Sequence, residues 1–190
     1  MKKSVNFILA ALLFLIPASA FANAFFIQEM SGDGMAQGGA VIAAGTKPSN
    51  VFQNAANLSF IEGLHFEAVS TIYIPTGYFE DPQGNRTNIV DDPIVTPHFF
   101  ASFKINDWLA VGMAEFIDFG LEIKWPKGWY GDHIVRQAGL SSVTLNPNIS
   151  FGPFKGFAVA VGFDAKYGQI SIKRGLTSGS DFYGTDPLDN

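Results

Sequence analysis

The chain contains no cysteine and little charge: only 15% of its residues are Asp, Glu, Lys or Arg. Acidic residues outnumber basic ones 17 to 12. This balance argues against a nucleic-acid partner, because nucleic-acid-binding proteins present a basic surface. Without disulfides, an exported chain of this size must be held together by its own core or by a membrane.

Long hydrophobic runs are missing beyond the N-terminus, although 47% of the residues are hydrophobic. After residue 22, no apolar run reaches the roughly 20 residues that a transmembrane helix needs. High apolar content without long apolar runs is typical of alternating strands that cross a membrane as a barrel.

Groups for catalysis or metal binding are scarce. His65, His98 and His133 lie on different segments without the spacing of metal ligands, and there is no G-x-S-x-G sequence. Glu115 and Asp118 are three positions apart, so they fall on opposite faces of a strand and cannot act as a carboxylate pair unless the strand bends. The sequence therefore predicts that the protein is not an enzyme and has no cofactor or metal.

The first 22 residues have the three parts of a secretory signal peptide. Lys2 and Lys3 supply positive charge, residues 7–16 form an apolar run, and the tripeptide at 20–22 fits an A-x-A cleavage site. The apolar run is too short to cross a bilayer. We therefore expect cleavage after Ala22 and export of the remaining chain.

Five stretches further along the chain alternate between apolar and polar residues. The alternation predicts strands over residues 64–74, 95–105, 108–123, 140–151 and 157–173. Short turns follow the second and fourth strands, whereas long loops follow the first and third. This layout predicts an all-β protein, a transmembrane antiparallel β-barrel with its short turns in the periplasm. A secreted β-sandwich would give a similar alternation.

Two of these strands are expected to be irregular. In the third, Glu115 interrupts an apolar row, and a carboxylate that faces lipid costs on the order of a few kcal/mol. Phe116 and Gly120 follow, and glycine inside a strand often marks a bulge. We therefore expect a bend there, or a position of Glu115 near the headgroups. In the fifth strand, a shift of the apolar positions after Gly168 predicts a second bulge.

The segment 23–63, ahead of the first strand, is rich in glycine and alanine and has no steady period. It is too apolar for a linker and too rich in glycine for a good helix. Another part of the chain must therefore hold it in place. We expect it to be a plug inside a barrel wall, of which residues 64–190 form the first part.

Four stretches together, in order and spacing, resemble the FadL/TodX family of outer-membrane transporters of long-chain fatty acids and other hydrophobic molecules. They are FIQE at 26–29 with the glycines at 32–39, QNAANLS at 53–59, Trp125-Pro126 with Trp129, and LNPN at 145–148. Ala55 stands where the family usually has proline in an Asn-Pro-Ala motif. A free φ and a restored N–H at this position would loosen the turn.

The resemblance implies a barrel of 14 strands, an N-terminal hatch in its lumen, and passive diffusion of a hydrophobic ligand to a lateral opening in the wall. It implies a hatch motif at Asn54, Ala55, Ala56 and Asn57. It implies a kinked strand and lateral gate at Glu115, Phe116, Asp118, Phe119 and Gly120.

Two further groups of candidates concern the ligand. Trp125, Trp129 and Tyr130 are candidates for a ligand groove, and the alternative is an aromatic girdle at the membrane surface. Arg136, Lys166 and Lys173 are candidates for contact with a ligand carboxylate. For Lys166, which follows Asp164, an internal ion pair is the alternative.

Five strands cannot form a wall of 14, so we expect residues 1–190 to be a fragment or a truncated product. The expected location is the outer membrane of a Gram-negative bacterium. The expected partners are outer-membrane lipid, a hydrophobic ligand such as a long-chain fatty acid, and the outer-membrane insertion machinery. A structural or adhesin-type barrel without transport remains an alternative, as does a porin for polar solutes.

Overall fold

The computed structural model describes residues 26–43 and 47–176, so the expected signal peptide lies outside the described residues. Ahead of the strands are helix α1 (Gly32–Ala36), a 3-10 turn (Pro48–Asn50), helix α2 (Val51–Asn54) and a second 3-10 turn (Ala55–Phe60). The strands are β1 (Leu64–Tyr73), β2 (Tyr78–Glu80), β3 (Arg86–Asn88), β4 (Ile94–Asn106), β5 (Leu109–Phe116), β6 (Gly120–Lys124), β7 (Gln137–Phe154), β8 (Phe157–Gly162) and β9 (Ala165–Lys173).

Seven of these strands form one antiparallel sheet with the order β1-β4-β5-β7-β6, and β8 and β9 also pair with β7. Strands β5 and β6 lie end to end along one edge of β7, and β8 and β9 lie end to end along its other edge. The sheet therefore has five rows, which correspond to the five predicted strands. The prediction of an all-β, antiparallel fold is confirmed. Among the described residues, no helix combines the length and the apolarity needed to cross a bilayer.

One face of the sheet carries the N-terminal segment, residues 26–43 and 47–63. We call this the inner face and the opposite one the outer face. The core between segment and sheet contains Ile27, Met30, Val51, Leu58, Ile61, Phe100, Ala110, Ala114 and Phe116. The outer face exposes large apolar side chains that include Phe66, Phe99, Met113, Leu145 and Ile149. An apolar surface of this extent marks a face that contacts lipid or protein rather than water.

Small residues on β5 allow the N-terminal segment to pack closely. A Cβ at Gly112 would lie 2.4 Å from Leu58 Cδ1 and 2.5 Å from Asn148 Oδ1. Leu58 is 1% exposed, and the neighbouring Ser59 hydroxyl lies 2.5 Å from that of Ser150. The C-terminal half of the segment is therefore fixed to β5 and β7 by shape and by hydrogen bonding.

The two ends of the sheet differ, as the alternation predicted. Tight turns at Asp107–Trp108 and Lys155–Gly156 join strands at one end, which we call the turn end. Lys155 and Gly156 both have positive φ, 54° and 84°, as a two-residue hairpin turn requires. The long loops 74–93 and 125–136 lie at the other end, the loop end. The first loop contains the hairpin β2–β3, which the sequence did not predict.

The prediction of a bulge after Gly168 is wrong. Strand β9 pairs with β7 without a break from Ala165 to Lys173. The interruption of this row lies earlier, at residues 163–164 between β8 and β9. It stands next to Pro147 on β7, which has no N–H to donate to a ladder. Strand β7 is also longer than predicted at both ends.

Candidate functional site

The row formed by β5 and β6 is interrupted by Ile117, Asp118 and Phe119, which we call the window segment. The ladder between β4 and β5 ends where Phe99 pairs with Glu115, and β6 pairs with β7 alone. Residues 94–98 of β4 therefore face β6 without ladder hydrogen bonds. A cleft of about 530 Å³ occupies this opening, lined by residues of β4, β6, β7 and β9. We call the opening the window.

Contacts from the first long loop close the window at its loop end. The Val90 N–H donates to the Lys124 carbonyl at 2.8 Å, and the Lys124 ammonium pairs with Asp92 at 2.9 Å. At the turn end, the window is bounded by the last pair of the β4–β5 ladder. The window is thus an enclosed gap within the sheet rather than a frayed edge.

The polar backbone groups of the window segment are satisfied from three directions. The Ile117 N–H donates to His98 Nδ1 at 3.2 Å, and the Phe119 N–H donates to Ser142 Oγ at 3.1 Å. The Asp118 carbonyl accepts from the Ile27 N–H of the N-terminal segment at 2.9 Å. Because these donors and acceptors would be costly to leave unpaired, the partners fix the segment in its irregular path.

Asp118 is 2% exposed and points into the protein. Its carboxylate accepts hydrogen bonds from the hydroxyls of Ser142 and Thr144, and it forms an ion pair with the Lys166 ammonium. The alternative of an internal ion pair for Lys166 therefore holds, with a different partner from the expected Asp164. Asp164 instead accepts a hydrogen bond from the Asn146 amide.

Glu115 remains inside β5, so the break comes after it and not at it. Its ladder partners are Phe99 and Leu145, which places it on the outer face. Within the described residues, the Glu115 carboxylate has no hydrogen bond or ion pair. Phe116, the next residue, points inward, is 5% exposed, and packs edge-on against Phe52 at 5.0 Å.

The residues of the expected hatch motif hold two parts of the N-terminal segment together. The side-chain amides of Asn54 and Asn57 both donate to the Ile42 carbonyl, at 3.1 and 2.9 Å. Asn54 Oδ1 also accepts from the Ala56 N–H and caps the second 3-10 turn. Ala55 has φ of −60°, the value to which a proline ring would hold it.

A second cleft, of about 480 Å³, lies between the N-terminal segment and the inner face. Phe26, Phe52 and Phe116 provide an apolar side, and Phe26 stacks on Phe52 at 5.7 Å. Asn146, Asp164 and Lys166 are among the residues that provide a polar side. The cleft adjoins the window, because Phe26 also contacts Phe119 edge-on at 6.0 Å.

The sheet reverses its polarity across the window. Even-numbered residues of β5 point inward, whereas on β6 the odd-numbered residues Leu121 and Ile123 do, since they pair with Leu140 and Ala138 of β7. Ile170 and Ile172 of β9 face the same way. The outer face of this part instead carries Glu122, Lys124, Gln137, Ser141, Gln169, Ser171 and Lys173. Toward the loop end, the inner face is therefore apolar and the outer face polar.

The position of this reversal matches the thickness of a membrane. Tilted strands rise about 2.5 Å per residue along the bilayer normal, so a lipid-facing band about 25 Å tall takes about ten residues. Counted from Leu109 at the turn end, ten residues end at Asp118, within the window segment. The polar outer row begins directly beyond it.

The loop aromatics form one cluster. Trp125 and Trp129 stack at 4.3 Å, and Phe79 of β2 contacts Trp129 at 5.4 Å and Tyr130 at 5.7 Å. The Trp129 indole donates to the Val135 carbonyl at 2.8 Å. The cluster thus packs the hairpin β2–β3 against loop 125–136. The part of Phe79 in this cluster was not predicted.

The three cationic candidates occupy different places. Arg136 pairs with Asp132 in the second long loop at 2.7 Å. Lys173 lies on the outer face opposite Gln137. Of the three, Lys166 alone lines the cleft beside the N-terminal segment.

Comparison with known proteins defines the class to which this wall and segment belong. The sequence family described as outer membrane protein transport protein (OMPP1/FadL/TodX) matches residues 13–186. Since this match covers almost the entire chain, the protein belongs to that family of outer-membrane transport proteins.

Individual relatives are distant. The chain is 24% identical over 130 residues to a putative outer membrane protein of Neisseria meningitidis serogroup B, covering 63% of this chain and 27% of the relative. It is 24% identical over 196 residues to outer membrane protein P1 of Haemophilus influenzae, covering 92% of this chain and 42% of that relative. A crystal structure of a Pseudomonas aeruginosa FadL homologue matches with a TM-score of 0.49 and 19% identity, over 66% of this chain and 33% of that one. The chain thus spans less than half the length of these relatives.

Proposed function

We propose that the protein moves hydrophobic molecules, long-chain fatty acids among them, across the outer membrane by passive diffusion. Residues 23–63 act as a hatch on the inner face of the wall, and residues 64–190 form the first part of that wall. The ligand passes along the inner face and leaves sideways through the window. Outer-membrane lipid surrounds the apolar outer face, and the outer-membrane insertion machinery places the protein there.

One observation carries this proposal: the window opens where the inner face changes from polar to apolar. Leu121 and Leu140 both line the window cleft and belong to the apolar inner row. A hydrophobic molecule on that row reaches the window without crossing the polar inner residues of the turn end. The burial of apolar surface favours this path by about 25 cal/mol per Å².

The aromatic cluster of the loops supplies a first contact in this scheme. Trp125, Trp129 and Tyr130 lie at the loop end, at the entrance to the apolar row. Because Tyr130 is 37% exposed, part of the cluster is accessible from solution. Aromatic side chains of this kind commonly line sites for hydrophobic ligands.

A reversible cross-link of the window tests the proposal. A Cβ at Gly120 would lie 3.0 Å from Thr96 Cγ2, so cysteines at these two positions are within reach of each other. The chain has no cysteine of its own, so only the introduced pair can oxidise. We expect the oxidised Thr96→Cys, Gly120→Cys protein in cells to lose most of its uptake of a labelled fatty acid, and reductant to restore it.

The control is a pair in the closed part of the sheet. Ala101 and Met113 are direct ladder partners on the outer face, so a disulfide between cysteines at these positions spans no opening. Its oxidation should leave uptake unchanged. Full uptake by the oxidised window pair, with the disulfide verified on a gel, would rule out the lateral path.

A further inference from the structure

The ion pair between Asp118 and Lys166 joins the window segment to the cleft beside the N-terminal segment. Asp118 lies in the window segment and is buried, whereas the Lys166 side chain is 40% exposed. Lys166 lines the cleft, and its ammonium also lies 5.2 Å from the centre of the Phe119 ring. The cation is thus accessible to a molecule in the cleft, and its carboxylate partner is almost completely enclosed.

The cleft has surfaces that complement both parts of an amphiphile with an anionic headgroup. Phe26, Phe52 and Phe116 offer an apolar surface, and Lys166 offers a positive charge at the same cavity. Asp164, the other charged group that lines the cleft besides Asp118, is engaged by the Asn146 amide. An alkyl chain on the phenylalanines would bring a carboxylate headgroup within reach of the ammonium.

We propose that Asp118 and Lys166 form a specificity-determining pair, in which the carboxylate of a ligand replaces Asp118 on Lys166 and thereby releases the window segment. This inference rests on the function proposed above and adds the substrate class: molecules with an anionic headgroup open the window, and neutral hydrocarbons of the same length do not. Asp118, once deprived of its cation, cannot remain buried as a charge. The window segment then moves until the Asp118 carboxylate reaches water.

Movement of the window segment has a direct consequence for the N-terminal segment. The Asp118 carbonyl accepts from the Ile27 N–H, and Phe119 contacts Phe26. Displacement of Asp118 therefore breaks one of the hydrogen bonds that hold residues 26–30, the one that joins them to the window segment. The same event widens the opening and loosens the part of the hatch next to it.

The test measures the window directly, in the complete purified protein. Cysteines at Thr96 and Gly120 are oxidised in the presence of palmitate, of hexadecanol, or of neither, and the rate of disulfide formation is recorded. We expect palmitate to slow cross-linking several-fold and hexadecanol, which has the same chain length without charge, to leave the rate unchanged. An equal response to the two compounds would overturn the inference.

Variants of the pair sharpen the test. Asp118→Asn retains the shape of the side chain but has no charge to expose, so we expect fast cross-linking without ligand and no effect of palmitate. Lys166→Met leaves the buried Asp118 charge without its cation, so we expect slow cross-linking with and without palmitate, whereas Lys166→Arg should keep the response. Asp164→Asn, in the same cleft, is the matched control and should respond like the wild type. A palmitate response retained in both Asp118→Asn and Lys166→Met would overturn the inference.

Failure of the inference differs from failure of the proposed function. If oxidation of the window pair abolishes uptake but palmitate and hexadecanol affect cross-linking equally, the window is a path without headgroup selection. If oxidation leaves uptake intact, the lateral path itself is wrong. Before either conclusion is drawn, each variant is checked for folding by the difference in gel migration between its heated and unheated samples.

Discussion

The turn end and the loop end of the sheet are built from the same strands but with opposite faces. Below the window, the inner face of β7 carries Ser142, Thr144, Asn148 and Ser150, and the outer face is apolar. Beyond it, Leu140 and Ala138 of the same strand point inward and pair with apolar residues on both sides. One uninterrupted strand thus has an apolar outer face along one part of its length and an apolar inner face along the other.

The difference shows where the hydrophobic effect acts on each region. At the turn end, the apolar residues face outward, as the proposed contact with lipid requires, and the polar inner residues bind the N-terminal segment. At the loop end, the proposed surroundings of the outer face are headgroups or water, where polar residues are suitable, and the inner face is apolar. The window segment, by inserting three residues outside the ladder, lets β5 and β6 differ in which positions point inward.

The largest expected effect on stability comes from placing a lysine at an odd-numbered position of the third row in each of the two regions. Met113 and Ile123 are both odd-numbered residues of one row, yet Met113 faces outward and Ile123 inward. Met113→Lys should reduce the free energy of unfolding in lipid by about 2–4 kcal/mol, since the residue lies near the bilayer midplane. Ile123→Lys should cost far less. Urea unfolding in vesicles measures both, and equal costs would contradict the reversal of polarity.

The contact between Leu58 and Gly112 provides the next test, within the turn end. Gly112→Ala places a Cβ about where Leu58 and the Asn148 side chain already are, so we expect a loss of about 1–3 kcal/mol in stability. Gly168→Ala is the matched control, because the nearest atom there is at 3.8 Å. Displacement of the N-terminal segment is read by chymotrypsin cleavage after Leu58, which is buried while the segment is packed. Unchanged cleavage and stability in Gly112→Ala would show that the segment is not fixed there.

His98 tests how the boundary between the two regions is held. His98→Ala removes the acceptor of the Ile117 N–H, and an unsatisfied buried donor costs about 1–3 kcal/mol. Ser102→Ala, on the same inner row of β4, is the control, because its buried hydroxyl has no hydrogen-bond partner among the described residues. We expect that control to unfold like the wild type. A loss as large in Ser102→Ala as in His98→Ala would assign the effect to packing alone.

The smallest effect concerns the hairpin of the first loop. Hydrogen bonds from the Asn85 side chain, and from the backbone N–H groups of Asn85, Gln83 and Gly84, hold the pKa of Asp81 below its ordinary value. A lowered pKa means that the ionised Asp81 stabilises the turn at pH values above the usual carboxyl range. The turn loses this stabilisation as pH falls through the lowered pKa. The Asn85 amide resonance should report this loss, and Asp81→Asn should abolish its pH dependence. A titration at the ordinary carboxyl pKa would contradict it.

Much of the fold was predictable because alternation is a local property. Each of the five rows appears in the sequence as a run of period two, and the two tight turns carry recognisable residues. The break in the third row was also predicted, from Glu115 and Gly120. The extent of the break was not predicted. It covers residues 117–119, and Glu115 itself keeps its ladder partners on both sides.

The partners of the window segment could not be predicted, since they come from distant parts of the chain. His98, Ser142 and Ile27 reach the segment only through strand register and through packing of the N-terminal segment. The internal ion pair of Lys166 was expected, but its partner was not, for the same reason: Asp164 is close in sequence, whereas Asp118 is close in space. Ile170 and Ile172 were read as evidence for a bulge because an apolar inner face was not considered.

The two interruptions lie on opposite edges of β7, at 117–119 on one side and 163–164 on the other. The two interruptions are staggered along β7: residues 142–143 lack a ladder partner on one edge and residues 146–147 on the other. Between these gaps, Thr144 and Leu145 pair on both edges, with β5 on one side and β9 on the other. Every level of β7 from Gln137 to Phe151 therefore keeps a ladder partner on at least one edge, so the sheet contains an opening without a line along which it could fold.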